Sequence, residues 1–150
     1  MYYTPKIHFY PLGLYGSDTN ITINNGSVPV RTLASLIEVA GDKGKVIDYL
    51  KFDIEGSEWK AIPEMAQSGI LKKYVKQIAF ESHTYYGGSV GHIYLNAVKN
   101  LQKSGFRKWH SHLNVENMYR PKDATRHYSY CQEMYYLNIN FMKRNKLIHN

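Results

Sequence analysis

Residues 46–54, Val-Ile-Asp-Tyr-Leu-Lys-Phe-Asp-Ile, carry apolar and β-favouring side chains on both faces, and the run stops on acidic residues before Gly56-Ser57. A strand with one face in water alternates apolar with polar, whereas one inside a parallel sheet is apolar on both sides. The segment is therefore expected to be a buried strand of a parallel sheet. Such a sheet requires crossover connections between its strands, so helical segments should flank it.

They do. From Thr32 the residues Leu33, Leu36, Ile37 and Ala40 fall on one helical face, and Gly41 and Gly44 close the segment. Beyond the strand, Ser57 can cap a helical turn. Pro63 cannot sit inside a long helix without losing a hydrogen bond, so a break is expected near Ile62, with a second helix running from Pro63 to Gly69. Tyr74–Phe80 reads as the next strand, finishing on Glu81-Ser82-His83. Ser89–Ser104 carries Val90, Tyr94, Ala97, Val98 and Leu101 on one stripe and ends at Gly105.

Phe106–His112 is a further strand, on which His110 and His112 would share a face without establishing a metal site. A polar stretch, Asn114–His127, leads to Glu133–Phe141. There Tyr135, Leu137, Ile139 and Phe141 alternate with Tyr136, Asn138 and Asn140, which reads as a strand whose second set faces water. Ahead of the first helix, Ile7–Tyr10 is a short strand candidate, Pro11–Asp18 a turn-rich loop, and Ile21–Val30 a hairpin turning at Asn25-Gly26. The alternating order predicts an α/β fold in one domain over residues 1–150, with a mostly parallel sheet and an antiparallel C-terminal strand at its end.

Composition narrows the options. The hydrophobic content of 43% supports a core, no run suits a membrane-spanning helix, and the first residues lack the apolar stretch of a signal peptide. Cys131 is the sole cysteine, which excludes an intrachain disulfide and reads as a small packing residue. Two glycosylation sequons begin at Asn20 and Asn25 and would matter only in the secretory pathway, so the compartment stays open. Charge is uneven: residues 1–70 hold 6 Lys/Arg against 8 Asp/Glu, and residues 71–150 hold 13 against 4. The basic half does not interleave with aromatics as a nucleic-acid platform would, so the sequence gives no firm nucleic-acid signal.

The phrase Asp48-Tyr-Leu-Lys-Phe-Asp-Ile-Glu-Gly-Ser-Glu-Trp59 is similar to the D-x-L-K-x-D-I-E-G-x-E core of FkbM-type S-adenosylmethionine (SAM) methyltransferases. Ile54–Met65, followed by Ile78–His83 and then Cys131–Asn138, resembles the methyltransferase-like protein twenty-four group within that family. The resemblance spans roughly residues 5–141 and is densest over 31–83.

It implies a partial Rossmann-like methyltransferase fold with SAM as cofactor, acting on a hydroxyl of a sugar or other small molecule. The N-terminal βα units that carry the glycine-rich cofactor loop are expected to be missing ahead of Ile7. This chain would then be incomplete for catalysis, and its exposed sheet edge would be open to a protein partner. The alternative is a noncatalytic binding module on the same scaffold.

In such sheets, ligands sit at the carboxyl ends of the strands, which here are Asp53-Ile-Glu55 and Glu81-Ser-His83. Methyl transfer to oxygen needs a base for the hydroxyl proton, and Asp53 or His83 would serve, with Glu55 holding the hydroxyl or orienting the histidine. Glu81, which would also suit a partner such as Lys51, and Trp59 are the candidate substrate contacts. Gly13 and Leu14 lie on a loop that the resemblance places near the adenosine end of SAM. No metal is assigned, although Asp53, Glu55, Glu81 and His83 together form an oxygen-rich set of the kind a divalent cation takes.

Overall fold

The computed structural model describes residues 7–84, 91–120, 122 and 125–146, the last four without their side chains. Strand β1 (Gly13–Leu14) runs parallel to β3 (Gly26–Arg31), which pairs antiparallel with β2 (Thr19–Ile23) in a small sheet of order β1-β3-β2. The expected hairpin is present, but its turn lies one residue earlier. Ile23 pairs with Gly26, and the positive φ angles belong to Asn24 (48°) and Asn25 (63°). Asparagine tolerates this left-handed region, so Gly26 is left to begin the returning strand. Asn20 and Asn25, the heads of the two sequons, are both exposed on this hairpin.

Residues 7–10 form no strand. A strand needs a ladder partner, and among the described residues none pairs with them. Ile7 and Phe9 are 84% and 87% exposed.

Helix α1 (Leu33–Val39) starts as expected, with the Ser35 N–H donating to Thr32 Oγ1. Asp18 ties the preceding loop to this start by accepting from the Thr32 N–H at 2.7 Å and the Ser35 hydroxyl at 2.6 Å. Those bonds, the serine's foremost, hold the Asp18 carboxyl below its ordinary range.

The principal sheet joins β4 (Leu50–Phe52), β5 (Gln77–His83), β6 (Phe106–Leu113) and β9 (Cys131–Asn138) in the order β4-β5-β9-β6. β4 and β5 are parallel, and β9 is antiparallel to both β5 and β6. The expected antiparallel last strand is therefore real, but it inserts between β5 and β6 instead of lying at the sheet's end. A two-stranded ladder of β7 (Met118–Tyr119) and β8 (Tyr128–Ser129) interrupts the polar stretch, after a 3-10 turn at Val115–Asn117.

Helix α2 (Glu58–Gln67), helix α4 (Gly91–Lys103) and the short α3 (Ile70–Tyr74) cover one face of this sheet. Phe52, Ile78, Phe80 and Tyr136 meet Trp59, Ile62, Met65, Leu71, Ala97 and Leu101 there in one core. Phe80 stacks between Phe52 and Tyr136, with ring centroids 5.4 and 5.9 Å away. Ser89 and Val90, predicted as the start of α4, lie outside the described residues.

Three further expectations are corrected. First, α2 passes through Pro63 without a break. Proline inside a helix costs roughly 3 kcal/mol, but burying Trp59, Ile62 and Met65 contributes roughly 1.5–3 kcal/mol each, so packing outweighs the local defect. The helix does stop where predicted, at Gly69 with φ 77°.

Second, β9 turns its expected wet face inward. Tyr136 and Asn138 are 2% and 1% exposed, and burial pushes the Tyr136 phenol up to about 12. The Asn138 amide is satisfied by the Leu71 and Val75 carbonyls at 3.1 and 2.8 Å, which close the C-terminal end of α3. The chain then enters α5 (Ile139–Lys146) at residues expected to continue the strand.

Third, β4 is shorter than the apolar run that suggests it. Only Leu50–Phe52 pair in the ladder, with an isolated bridge from Ile47 to Val75, and Val46 and Tyr49 are about half exposed. Among the described residues β4 is the end strand, paired on one side only.

Candidate functional site

The turn after β4 builds the site. Glu55 and Gly56 take left-handed φ angles of 52° and 96°, a conformation that glycine adopts freely and glutamate rarely. The two reverse the chain so that the start of α2 lies under the end of its own strand. Glu58, the first residue of that helix, is fully buried.

A buried carboxylate is costly unless its oxygens are hydrogen-bonded. Those of Glu58 are: Oε1 accepts from the Ile54 N–H at 3.0 Å and Oε2 from the Gly56 N–H at 2.8 Å. The same Oε1 stands 3.0 Å from Nδ1 of His83, itself 2% exposed at the end of β5. A carboxylate only accepts, so Nδ1 donates and the other ring nitrogen, Nε2, faces away from Glu58.

Three more carboxylates surround that nitrogen. Asp53 Oδ1 and Glu55 Oε2 are each 3.6 Å from Nε2, and Glu81 Oε2 is 3.7 Å away. The Asp53 carboxyl is pushed above its ordinary range, first by burial and then by the negative charge of Glu81, with His83 pulling the other way. Glu81 is steadied by the Asn114 side-chain amide, which donates to Oε1 at 3.0 Å. Trp59 fixes the backbone beside the ring, its indole N–H donating to the His83 carbonyl at 2.6 Å.

The structure thus brings together Asp53, Glu55, Glu81 and His83. Trp59 sits beneath them, packed on Phe80 and Tyr94. Gly13 and Leu14 are placed in the small sheet, paired with Val30 and Arg31, and Leu14 also packs on the core. Lys51 pairs with Glu133 at 3.4 Å, not with Glu81. His110 and His112 share a face as expected, two residues apart in the regular ladder that follows the bulge between Lys108 and His110, and both rings gather around Tyr135.

Sequence reasoning passed over Glu58. One signal was available: an acid at the first helical position after a glycine turn stands where backbone N–H groups lack partners.

The Methyltransferase FkbM domain matches residues 9–119, most of the chain and all four residues of the cluster. The chain belongs to this family. It is 29% identical over 103 residues to human "Probable methyltransferase-like protein 24" and 28% identical over 103 residues to the protein of that name from Rattus norvegicus. Each alignment covers 62% of this chain, and the chain spans about a quarter of its relatives, 27% and 28% of their lengths. Among the described residues no helix is long and apolar enough to cross a membrane.

Proposed function

We propose that this chain forms the acid–base part of a SAM-dependent O-methyltransferase domain whose acceptor is a hydroxyl of a sugar or other small molecule. The observation that carries the reading is the buried Glu58–His83 pair, which presents Nε2 among Asp53, Glu55 and Glu81 where β4 and β5 end. Strand order β4-β5-β9-β6 with an antiparallel β9 supports a Rossmann-like framework, in which ligands occupy this end of the sheet.

The negative charge of Asp53, Glu55 and Glu81 fits the positive sulfonium of SAM. The glycine-rich loop that would hold its adenosyl end is not found in residues 1–150 and would belong to βα units added at the open edge of β4. When bound, SAM supplies the methyl group. Asp53 takes the hydroxyl proton, helped by its raised carboxyl pKa. His83 and Glu55 hold the hydroxyl oxygen in line, Glu81 contacts the acceptor, and Trp59 keeps His83 in place from behind. Gly13 and Leu14 face the adenosine side.

The test is transfer of a labelled methyl group from SAM to a panel of sugars and small alcohols, by this chain and by any longer natural polypeptide that carries it. Asp53→Ala is expected to lower transfer at least about 100-fold in the active form. Transfer indifferent to that substitution would overturn the site, and transfer confined to nitrogen acceptors would overturn the acceptor class. Calorimetric titration of the 150-residue chain with SAM should give affinity no better than millimolar. Tighter binding would show that the cofactor site needs no added units.

One observation favours the noncatalytic alternative. Beside the open edge of β4 lies an apolar groove of about 430 Å³, lined by Phe9, Leu36, Ile37, Ile47 and Leu50 among others, which suits a protein segment.

A further inference from the structure

We infer that a neutral oligosaccharide binds across the sheet, from a cavity beside Glu81 to the exposed ring of Trp109. Glu81, Glu133 and His112 are successive partners across β5, β9 and β6, so they form one row on the face opposite α2, α3 and α4. Two strand spacings, about 10 Å, separate the ends of that row. A cavity of about 480 Å³ opens over it, lined by these three residues and Glu116 among others.

Rings carry the surface onward along β6. The register of β6 against β9 slips between Lys108 and His110, which leaves Trp109 as the extra residue of a bulge. A bulge re-aims the side chain it carries. The Trp109 ring lies 5.8 Å from Tyr135 and 5.7 Å from His110, and His112 stands 6.2 Å from the same tyrosine. The indole is 60% exposed. It forms a platform whose face is apolar and whose neighbours carry hydrogen-bonding nitrogens. From His112 to Trp109 is about 10 Å more along the strand, a span for several linked sugar rings and not for one.

The lining selects the ligand. Glu81, Glu116 and Glu133 give the cavity three carboxylates, which repel acidic sugars, phosphates and nucleic acid. Carboxylates accept hydroxyl hydrogens, and Glu133 has an oxygen to offer. Its Oε1 meets Lys51 at 3.4 Å, while among the described residues its Oε2 has no hydrogen-bond partner and is shut from solvent. A sugar hydroxyl is the donor this oxygen lacks, reached by a turn of the carboxyl group into the cavity. Hydroxyls around the edge and C–H groups on the flat faces suit both the carboxylates and the rings. A bare cation would suit the carboxylates alone. The rings lie side by side instead of closing into a cage, and they follow Arg107 and Lys108 in β6.

The inference deepens the methyl-transfer reading and rests on it for the fate of the ligand: Glu81 belongs to both, so the acceptor hydroxyl is on the sugar's end residue. Binding itself needs no SAM.

The experiment is titration of the 150-residue chain, without SAM, with neutral tetrasaccharides of glucose, galactose, mannose or N-acetylglucosamine, followed by tryptophan emission and by heat. The chain has two tryptophans, Trp59 buried and Trp109 exposed, so a sugar stacked on Trp109 should move the emission to shorter wavelength. Trp109→Ala should abolish that shift and weaken binding about 10-fold. Glu133→Ala should weaken it about 10-fold as well, both with unchanged circular dichroism spectra. Tyr49→Ala, which removes a half-exposed ring at the amino end of β4, should bind as the parent does.

The inference is overturned if no tetrasaccharide binds at millimolar concentration, if Trp109→Ala binds like the parent, or if Tyr49→Ala falls with it. Binding of tetramethylammonium or of a heparin tetrasaccharide in place of the neutral sugars would also overturn it, in favour of a cation or an anion site. Sugar binding without methyl transfer would sink only the catalytic reading, and methyl transfer to small alcohols with no sugar bound would sink only this one.

Discussion

Glu58 answers three donors from a position that water does not reach, and the site stands on it. Glu58→Gln would keep the shape but turn an NH₂ toward N–H groups, leaving at least one buried donor unmatched. The expected loss is about 1–3 kcal/mol, read from the urea midpoint. An unchanged midpoint would mean that Glu58 only fills space. Asp53 works in the opposite sense. Its carboxyl pKa is higher in the folded chain than in the unfolded one, so the folded state binds more protons between those values and stability falls as pH rises through them. Asp53→Asn should therefore raise the melting temperature at pH 7 and leave it nearly unaltered below about pH 3, where the acid is protonated in both states. Because the side chain is about half exposed, the gain should be small, and paired melts at the two pH values measure it. A drop at pH 7 would show that Asp53 is stabilised by its neighbours instead.

At the scale of elements, α2 and β9 show where local rules yield to tertiary packing. Pro63 reads as a helix start because its ring removes one bond and crowds the carbonyl of Trp59, yet Ile62 before it and Met65 after it are core. Pro63→Ala restores that bond and should stabilise the fold by about 1–3 kcal/mol in urea unfolding. No gain would mean that the helix has already adapted to the ring. In β9, Tyr136 and Asn138 read as polar, but the tyrosine ring completes an aromatic stack and the asparagine caps α3. Asn138→Ala would strand the Leu71 and Val75 carbonyls at a cost of about 2–3 kcal/mol, again read from the urea midpoint. A cost below about 0.5 kcal/mol would show that water replaces the amide.

For the molecule as a whole, periodicity carried far. The helical stripe at Ala97 and Leu101, the helix that begins after Thr32, the Asn-rich hairpin and the strands ending in acids are all legible, because each is set by neighbours in sequence. The convergence of Asp53, Glu55, Glu81 and His83 was legible for another reason: carboxyl ends of adjacent parallel strands meet in space. What escaped depends on distant contacts: the burial of Glu58, the face of β9, and the extent of β4, whose pairing is decided by β5. The open side of β4 then has a consequence for the free chain. Among the described residues the N–H and C=O groups on this side of β4 have no ladder partner, and with Phe9 beside them and Ile7 also exposed they form a template for a second strand. Sedimentation velocity should show association that grows with concentration, and replacing Ile7 and Phe9 with serine should reduce it without changing the melting temperature, since both side chains lie outside the core. A single monomer boundary at every concentration would mean that the edge is already covered within the chain.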